Sequence, residues 1–541
     1  MGSYSNFIRE LLSFLSFLTF RLFFLLLFLL FISIPIFTSY IHHFSLQQTI
    51  MASSFSNFLS LIITVSFLRN ALCRPSLTSS LPHSQILDVS KYIQNTLQVL
   101  SPNIKSLQQQ EAIEQQQQPL YSSSAFSVSI YPRSSLVKPQ HTDYTSLTLS
   151  RLARDSARVS SLNAMLQLSP TNFTYSHLKS VRTMSGLEEF QTPLISGSSQ
   201  GSGEYFARLG VGEPAKEFYM AIDTGSDINW LQCEPCDECY QQTDPIFNPS
   251  DSSTYNQLSC DSPVCAALEL SGCYTDTCMY QVSYGDGSFT KGELATETVS
   301  FGDSGSFPNV AIGCGHDNEG LFTGSAGLLG LGGGSLSLPS QVKATSFSYG
   351  LVDRDSDSSS TLEFNSAGPS DSVFAPLLRN SRRDTFFYVG LEGISVGGEM
   401  LQVPLSIFQI DDNGRGGIIV DSGTAVTRLQ SSAYNALRDT FVKYAQNLPS
   451  AGEFELFDTC FDLSSMSTAN VPTVAFHFSG GRTLPLHAQN TVVPIDSSGK
   501  YCLAFAPTDE SMSIIGNVQQ QGTRVSYDLT NNLVGFSLDK C

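Results

Sequence analysis

Two stretches of the sequence echo each other: Ala221-Ile222-Asp223-Thr224-Gly225-Ser226 and Ile419-Val420-Asp421-Ser422-Gly423-Thr424. Each sets two apolar residues before an Asp, then a hydroxyl residue, a Gly and a second hydroxyl residue. The apolar pair reads as the end of a buried strand, and a lone carboxylate carried there is costly to bury. Repetition of the element suggests a pseudo-symmetric partner, with two loops bringing two carboxylates face to face. At close range both cannot ionise, so one keeps its proton and the pair serves as acid and base in one site. Gly225 and Gly423 permit the tight turns and the close approach. Thr224 and Ser422 can tie one loop to the other, while Ser226 and Thr424 can donate to the outer carboxylate oxygens.

Outward from these loops, the region after residue 186 shows short alternating runs cut by Gly, Pro, Asp-Gly and Asn-Gly turns. This predicts a mainly β body, with one clear helix over residues 432–445. About 350 residues is large for a single core, so two β-rich lobes joined near residues 375–385 are expected. The formal net charge of −19 is unevenly spread. Residues 74–185 hold ten Lys or Arg against five Asp or Glu, whereas residues 186–541 hold 16 against 42. An acidic body of this kind is not expected to bind nucleic acid or an anionic membrane through its own field.

The first 73 residues carry export features. Residues 23–37 are almost wholly apolar, with Arg21 just before them. A second candidate starts at Met51, with an apolar core over 58–68 followed by Ala71-Leu72-Cys73, small residues suited to signal-peptidase cleavage. Met51 is the favoured natural start, and a signal-anchor formed by the first stretch is the alternative. Membrane association is expected only if that stretch is retained. Residues 74–185 are Gln-rich over 108–118 and Ser-rich over 122–135, and read as lacking a globular core. Within them Leu149, Leu152, Ala153, Ser156, Val159 and Leu162 or Met165 recur at helical spacing, with Arg151, Arg154 and Arg158 on other faces. That pattern predicts an amphipathic basic helix, either packed on a pro-domain surface or solvated. Asn172-Phe173-Thr174 is a candidate N-glycosylation site.

Eleven of the twelve Cys follow residue 230. Cys233, Cys236 and Cys239, with Cys260, Cys265, Cys273 and Cys278 nearby, invite a zinc reading. The export features and the lack of a nearby His favour disulfides, whose connectivity spacing alone does not give.

Taken together, residues 200–541 resemble the pepsin-like aspartic proteases, in particular their nepenthesin-type plant branch. Asp223-Thr224-Gly225 and Asp421-Ser422-Gly423 match the two catalytic triplets. Leu328-Leu329-Gly330 and Ile514-Ile515-Gly516 match the segments that cross behind each loop. Trp230 stands seven residues after the first Asp, and Tyr284-Gly285-Asp286-Gly287-Ser288 matches the hairpin flap over substrate. The resemblance implies a bilobal fold with a cleft between pseudo-symmetric lobes, and an endopeptidase with Asp223 and Asp421 as catalytic pair. A water held between them is activated, and neither a cofactor nor a metal is required. It implies substrate contacts from Tyr284 and Gly285 with Trp230 behind, and pairs Cys233–Cys236, Cys239–Cys314, Cys260–Cys278, Cys265–Cys273 and Cys460–Cys502. The family Cys that would partner Cys541 is replaced by Gly350, so Cys541 is expected to be unpaired.

The expected organisation is a leader over 1–73, a pro-segment over 74–190, and lobes over 191–378 and 379–541. The whole reads as a monomeric zymogen of the secretory pathway, destined for the apoplast or the endoplasmic reticulum. Its partners are polypeptide substrates and its own pro-segment as intramolecular inhibitor. Arg382-Arg383 is read as a solvated charge pair. The rival reading is a pepsin-fold binding or inhibitor protein without activity, and the presence of Asp223, Asp421 and Tyr284 together speaks against it.

Overall fold

Strand Lys216–Asp223 is exposed at its first two residues and buried from Phe218 onward. Such a strand belongs in the middle of a sheet. It runs between the antiparallel strand Tyr205–Val211 and the parallel strand Gly327–Gly330. Gly327–Gly330 pairs Leu328 with Ala221 and Gly330 with Asp223, and carries strand Trp230–Gln232 on its other edge. The chain therefore leaves Asp223, turns through the Gly225 loop and returns on the far side of the crossing strand. The second half repeats this arrangement. Ile418–Val420 lies parallel to Ser513–Ile515, with Ile419 opposite Ile514, and Arg428 of the returning strand Thr427–Gln430 meets Ile514 from the other side. Helix Ser431–Tyr444 follows, burying Ala433, Tyr434, Leu437 and Phe441. The chain has the bilobal, mainly β pepsin-like fold in a computed structural model that describes residues 81–100, 125–137, 141–167, 204–283, 288–320, 322–366 and 368–539.

A broad sheet joins the two halves. Its strands run Val373–Leu378, Leu533–Leu538, Thr523–Asp528, Ser346–Gly350 and Ser360–Phe364, each antiparallel to the next. Gly350 is buried in it opposite Arg524. Cys541, the sequon at Asn172, the flap residues Tyr284 and Gly285, and the export features all lie outside the described residues.

The segment read as lacking a core is built into this frame, which corrects that reading. Strand β1 (Ser84–Asp88) pairs in register with strand Thr468–Pro472, from Ser84 opposite Pro472 to Asp88 opposite Thr468. Helix α1 (Val89–Val99) follows, capped by the Asp88 carboxylate, which accepts from the Lys91 N–H. Leu87, Val89 and Thr96 are buried against the body. Strand β2 (Phe126–Pro132) extends the joining sheet beyond Ser360–Phe364 and meets Tyr205, Phe206 and Ala207 on its far side. Its sequence alternates Ser127, Ser129 with Val128, Ile130, and the Ser-rich composition hid that period-two signal.

Helix α2 (Tyr144–Gln167) is the basic helix, but it buries its arginines as well as its apolar residues Leu152, Val159 and Leu162, against the simple amphipathic expectation. Arg151, Arg154 and Arg158 are 3–6 % exposed, whereas Leu149 is 39 % exposed. Carboxylates of the body make the basic face the inward one. Arg151 pairs with Asp355 at 2.8 Å and Glu204 at 3.7 Å, and Arg154 donates to Glu204 at 2.6 and 3.1 Å. Arg383, expected to be solvated, donates to the carbonyl of Met165 at 2.9 Å and pairs with Glu269, so it closes the C-terminal end of α2.

All ten Cys of the described residues form disulfides, but four of the five implied pairings are corrected. The bonds are Cys233–Cys314, Cys236–Cys239, Cys260–Cys273 and Cys265–Cys278, with Cys460–Cys502 as implied. The reason is register. Strand Trp230–Gln232 runs beside Gly313-Cys314-Gly315, and the Cys233 N–H donates to the Gly315 carbonyl, which sets Cys233 next to Cys314. The short loop between Cys236 and Cys239 then closes on itself. Cys278 faces the buried Cys265 of helix Pro263–Ala266, and Cys273 is left to Cys260.

Candidate active site

The two Asp loops meet at the centre of the molecule. The Thr224 N–H donates to Ser422 Oγ at 3.2 Å, and the Ser422 N–H donates to Thr224 Oγ1 at 2.9 Å, a reciprocal tie between loops 198 residues apart. Thr224 Oγ1 also lies 3.4 Å from the Val420 carbonyl and from Asp421 Oδ1. The glycines are required by proximity. A Cβ on Gly423 would stand 2.6 Å from Asp223 Oδ1, and one on Gly225 would stand 2.9 Å from Asp421 Oδ1. Within each loop the second N–H after the Asp turns back on it, Gly225 N to Asp223 Oδ1 at 2.9 Å and Gly423 N to Asp421 Oδ1 at 3.3 Å.

The outer oxygens are not alike. Thr424 donates to Asp421 Oδ2 at 2.6 Å. Ser226 is buried near Asp223 and helps to lower it, but among the described residues neither its hydroxyl nor Asp223 Oδ2 is in a well-formed hydrogen bond. Behind the loops, Gln520 Nε2 donates to the Asp421 carbonyl at 3.2 Å, and Asn517 Nδ2 donates to the Ser422 carbonyl at 2.9 Å. Trp230 is fully buried and meets Phe322 and Tyr240 edge-on.

A residue of helix α2 occupies the position between the two carboxylates. The Arg158 guanidinium of α2 bonds Asp223 Oδ1 through Nη2 and reaches Asp421 at 3.3 Å through Nε and 3.4 Å through Nη2. Arg158 was legible as part of a basic helix, but nothing in its local sequence marks it as the residue that meets both aspartates. The electrostatics are correspondingly unequal. Burial pushes the Asp223 carboxyl up to about 6; Arg158 opposes the rise and the Asp421 charge adds to it. Burial acts the same way on Asp421, but Arg158, the Thr424 hydroxyl and the Gly423 N–H outweigh it and hold that carboxyl below its ordinary range. The pair thus divides into one acid disposed to keep its proton and one disposed to lose it.

The rest of α2 lines up with this contact. Leu152 packs in an apolar pocket with Ala425, Val426, Phe457, Val493 and Val518. Leu162, fully buried, and Val159 pack with Phe386, Ile419, Met512 and Ile514. Among the described residues Glu293, Cys314 and His316 are the one group placed to gather around a metal, but the bond to Cys233 removes the Cys314 thiolate.

Such a fold, with paired Asp loops tied across its centre, defines a pepsin-like aspartic protease. Residues 205–365 match the family described as Xylanase inhibitor N-terminal, and residues 386–538 match Xylanase inhibitor C-terminal. The chain is 52 % identical over 401 residues to aspartyl protease family protein 2 of Arabidopsis thaliana, covering 72 % of this chain and 81 % of that protein. It is 48 % identical over 359 residues to the Arabidopsis protein aspartic protease in guard cell 2, covering 66 % and 76 %. With nepenthesin-2 of Nepenthes gracilis it shares 42 % over 397 residues, covering 72 % and 85 %. Two solved structures share the fold: that of edgp, at TM-score 0.53 and 20 % identity, covers 63 % of this chain and 93 % of its own. Basic 7S globulin from soybean gives 0.50 and 21 %, covering 62 % and 94 %. The chain belongs to the pepsin-like plant aspartic proteases that include the nepenthesins. It is an aspartic-type endopeptidase, and its substrates are polypeptides.

Proposed function

We propose that the chain is a secreted precursor of an acid-active endopeptidase, in which α2 closes the catalytic cleft until falling pH loosens it. The observation that carries this reading is the Arg158 guanidinium bonded to both Asp223 and Asp421. In the released enzyme the two carboxylates share one proton. The ionised one takes a proton from the water held between them while the protonated one donates to the scissile carbonyl oxygen. The resulting gem-diol collapses as a proton passes to the departing amine, and no acyl-enzyme forms. Thr224, Ser422 and the glycines hold the carboxylates in one geometry, Thr424 steadies the charge on Asp421, and Ser226 serves Asp223 once Arg158 has gone. Tyr284 and Gly285 form the flap that closes over substrate, with Trp230 behind it. The enzyme acts as a monomer, with a pro-segment over 74–190 and lobes over 191–378 and 379–541. Export through the secretory pathway, to the apoplast or the endoplasmic reticulum, and glycan attachment at Asn172 complete the reading.

Acid sensitivity follows from the groups facing α2. Arg151 faces Asp355, Glu204 and the Tyr144 hydroxyl; Arg154 faces Glu204 and the Arg133 charge; Arg158 faces the two aspartates; and Asp155 faces Arg428. Burial would raise Glu204 and Asp355, but their arginines outweigh it and hold both below the ordinary range, as Arg158 does for Asp421. A carboxyl held low in the docked state favours docking above its ordinary value and loses that contribution as pH falls through the docked one. Release is therefore expected below about pH 4, the ordinary carboxylate range. Burial and the Asp421 charge push Asp223 up to about 6 against the pull of Arg158, so its ion pair with Arg158 also weakens as that carboxyl takes up its proton in acid. The test is cleavage of a denatured protein by the full chain at about pH 7 and about pH 3, on either side of the ordinary carboxylate range, beside Arg158→Ala and with a statine-type inhibitor as control. Wild type should be silent near neutrality and active in acid, and Arg158→Ala should cleave at both. Equal cleavage by wild type at the two pH values, with α2 still attached, would overturn the proposal.

A further inference from the structure

Three side chains of α2 answer obvious features of the cleft: Arg158 meets the carboxylates, and Leu152 and Leu162 meet apolar walls. Asp155 does not. An acid on a basic helix facing an acidic body should be repelled, yet Asp155 is fully buried. Its Oδ1 accepts from the backbone N–H of Ala425 at 2.6 Å and of Val426 at 3.2 Å, and its Oδ2 accepts from Arg428 Nη2 at 2.6 Å. Arg428 is itself 5 % exposed and is held in place by Nη1 donating to the Val426 carbonyl at 2.9 Å. Three donors of the second lobe, two of them backbone and therefore fixed, converge on one carboxylate. They belong to the residues that continue directly from the Asp421 loop, and register with the crossing strand at Ile514 pins Arg428 there.

We infer that Ala425, Val426 and Arg428 form a carboxylate-binding subsite, which Asp155 fills in the precursor and an acidic side chain of the polypeptide substrate fills in the released enzyme. This rests on the reading of α2 as a removable plug. Once the helix leaves, a guanidinium built into the cleft wall loses its counter-charge, and a buried cation without a partner is strongly unfavourable. An anion from the incoming chain restores the pairing, and two preset N–H donors make a carboxylate the fitting shape. Asp155 precedes Arg158 by three residues, about 4.5 Å along a helix axis. An extended substrate advances about 3.3 Å per residue. The preferred acid therefore falls within about three residues of the scissile bond, beside the apolar pocket now holding Leu152.

The test uses enzyme freed of α2 and a set of peptides sharing one cleavage site. Glu or Gln is placed in turn at each of the three positions on either side, at a pH that keeps Glu ionised. A charge-assisted contact of this kind should lower KM about tenfold for Glu over Gln at one position. Arg428→Gln should reduce that ratio to about one, and Arg428→Lys should keep part of it. As a measurement independent of turnover, a synthetic peptide of residues 144–167 should bind the freed enzyme about tenfold more tightly than its Asp155→Asn version. Arg428→Gln should erase that difference. Equal handling of Glu and Gln at all six positions, or a Glu preference that survives Arg428→Gln, overturns the subsite while leaving the endopeptidase intact. If the full chain with α2 in place cleaves the peptides as fast as the freed enzyme, the plug reading falls, and the subsite falls with it.

Discussion

At the scale of single residues, the centre of the molecule is a set of charges that tolerate one another only in a fixed arrangement. Asp223→Asn keeps the shape of the side chain but removes the proton exchange. We expect kcat on a denatured protein to fall by about 10²–10⁴, with KM little changed, as read by steady-state kinetics at acid pH. Arg158→Met should leave two buried carboxylates without their cation. Breaking such a pair from one side costs about 3–5 kcal/mol, which a shift of the midpoint for α2 release toward neutral pH would report. The aspartates were legible because each sits in a repeated pattern whose every position has a physical reason. Arg158 was not legible to the same degree. Helical periodicity sorts residues into apolar and polar faces and leaves the polar face to solvent, whereas here the partners that bury Arg158 as well lie 65 and 263 residues away. The Ser226 hydroxyl shows the same limit, since the echo between the two triplets predicts symmetry, whereas among the described residues the Thr424 hydroxyl bonds its Asp at 2.6 Å and the Ser226 hydroxyl makes no well-formed bond.

At the scale of elements, close backbone contact decides where substitutions are tolerated. Strand Phe289–Ser300 crosses Ser306–Glu319 with Gly292 opposite Gly315, and a Cβ on Gly292 would run into the Cys314 carbonyl and stand 3.0 Å from Gly315 Cα. Gly292→Ala should destabilise the first lobe by about 1–3 kcal/mol in denaturant unfolding, because backbone rather than a side chain would have to shift. Strand pairing was readable where apolar and polar residues alternate cleanly. It was missed in β2, where serines occupy the outward positions and the composition suggested low complexity. The disulfide pairs were missed for a different reason: connectivity depends on which strands lie side by side, and spacing carries no record of that.

At the scale of the whole molecule, the bonds that close the second lobe are few. Cys460–Cys502 joins strands Cys460–Asp462 and Lys500–Leu503 at directly opposed positions, closing a 42-residue separation in the chain. Replacing both by Ala should cost about 2–4 kcal/mol, seen as a lower thermal midpoint under non-reducing conditions. The bilobal plan itself was legible from two motifs and a length too great for one core. The extent to which residues 84–132 share in that plan was not, because their strands complete sheets whose other strands are hundreds of residues distant.

The pairing of β1 with Thr468–Pro472 has a consequence for how the cleft helix is held. Fastened through β1, α1 and β2 before it and joined by the chain of residues 168–203 to strand Tyr205–Val211 after it, α2 is delivered to the cleft as a tethered ligand. A short tether sets an effective concentration in the millimolar range, so a helix of only modest intrinsic affinity occupies its site almost fully. One cut on either side of α2 leaves a single anchor, and a cut on both sides turns occupancy into an ordinary bimolecular equilibrium, governed by dilution. On the proposed release of α2 by acid, the irreversible step would be the loss of the leash, with acid needed only to open the helix long enough for it to be severed.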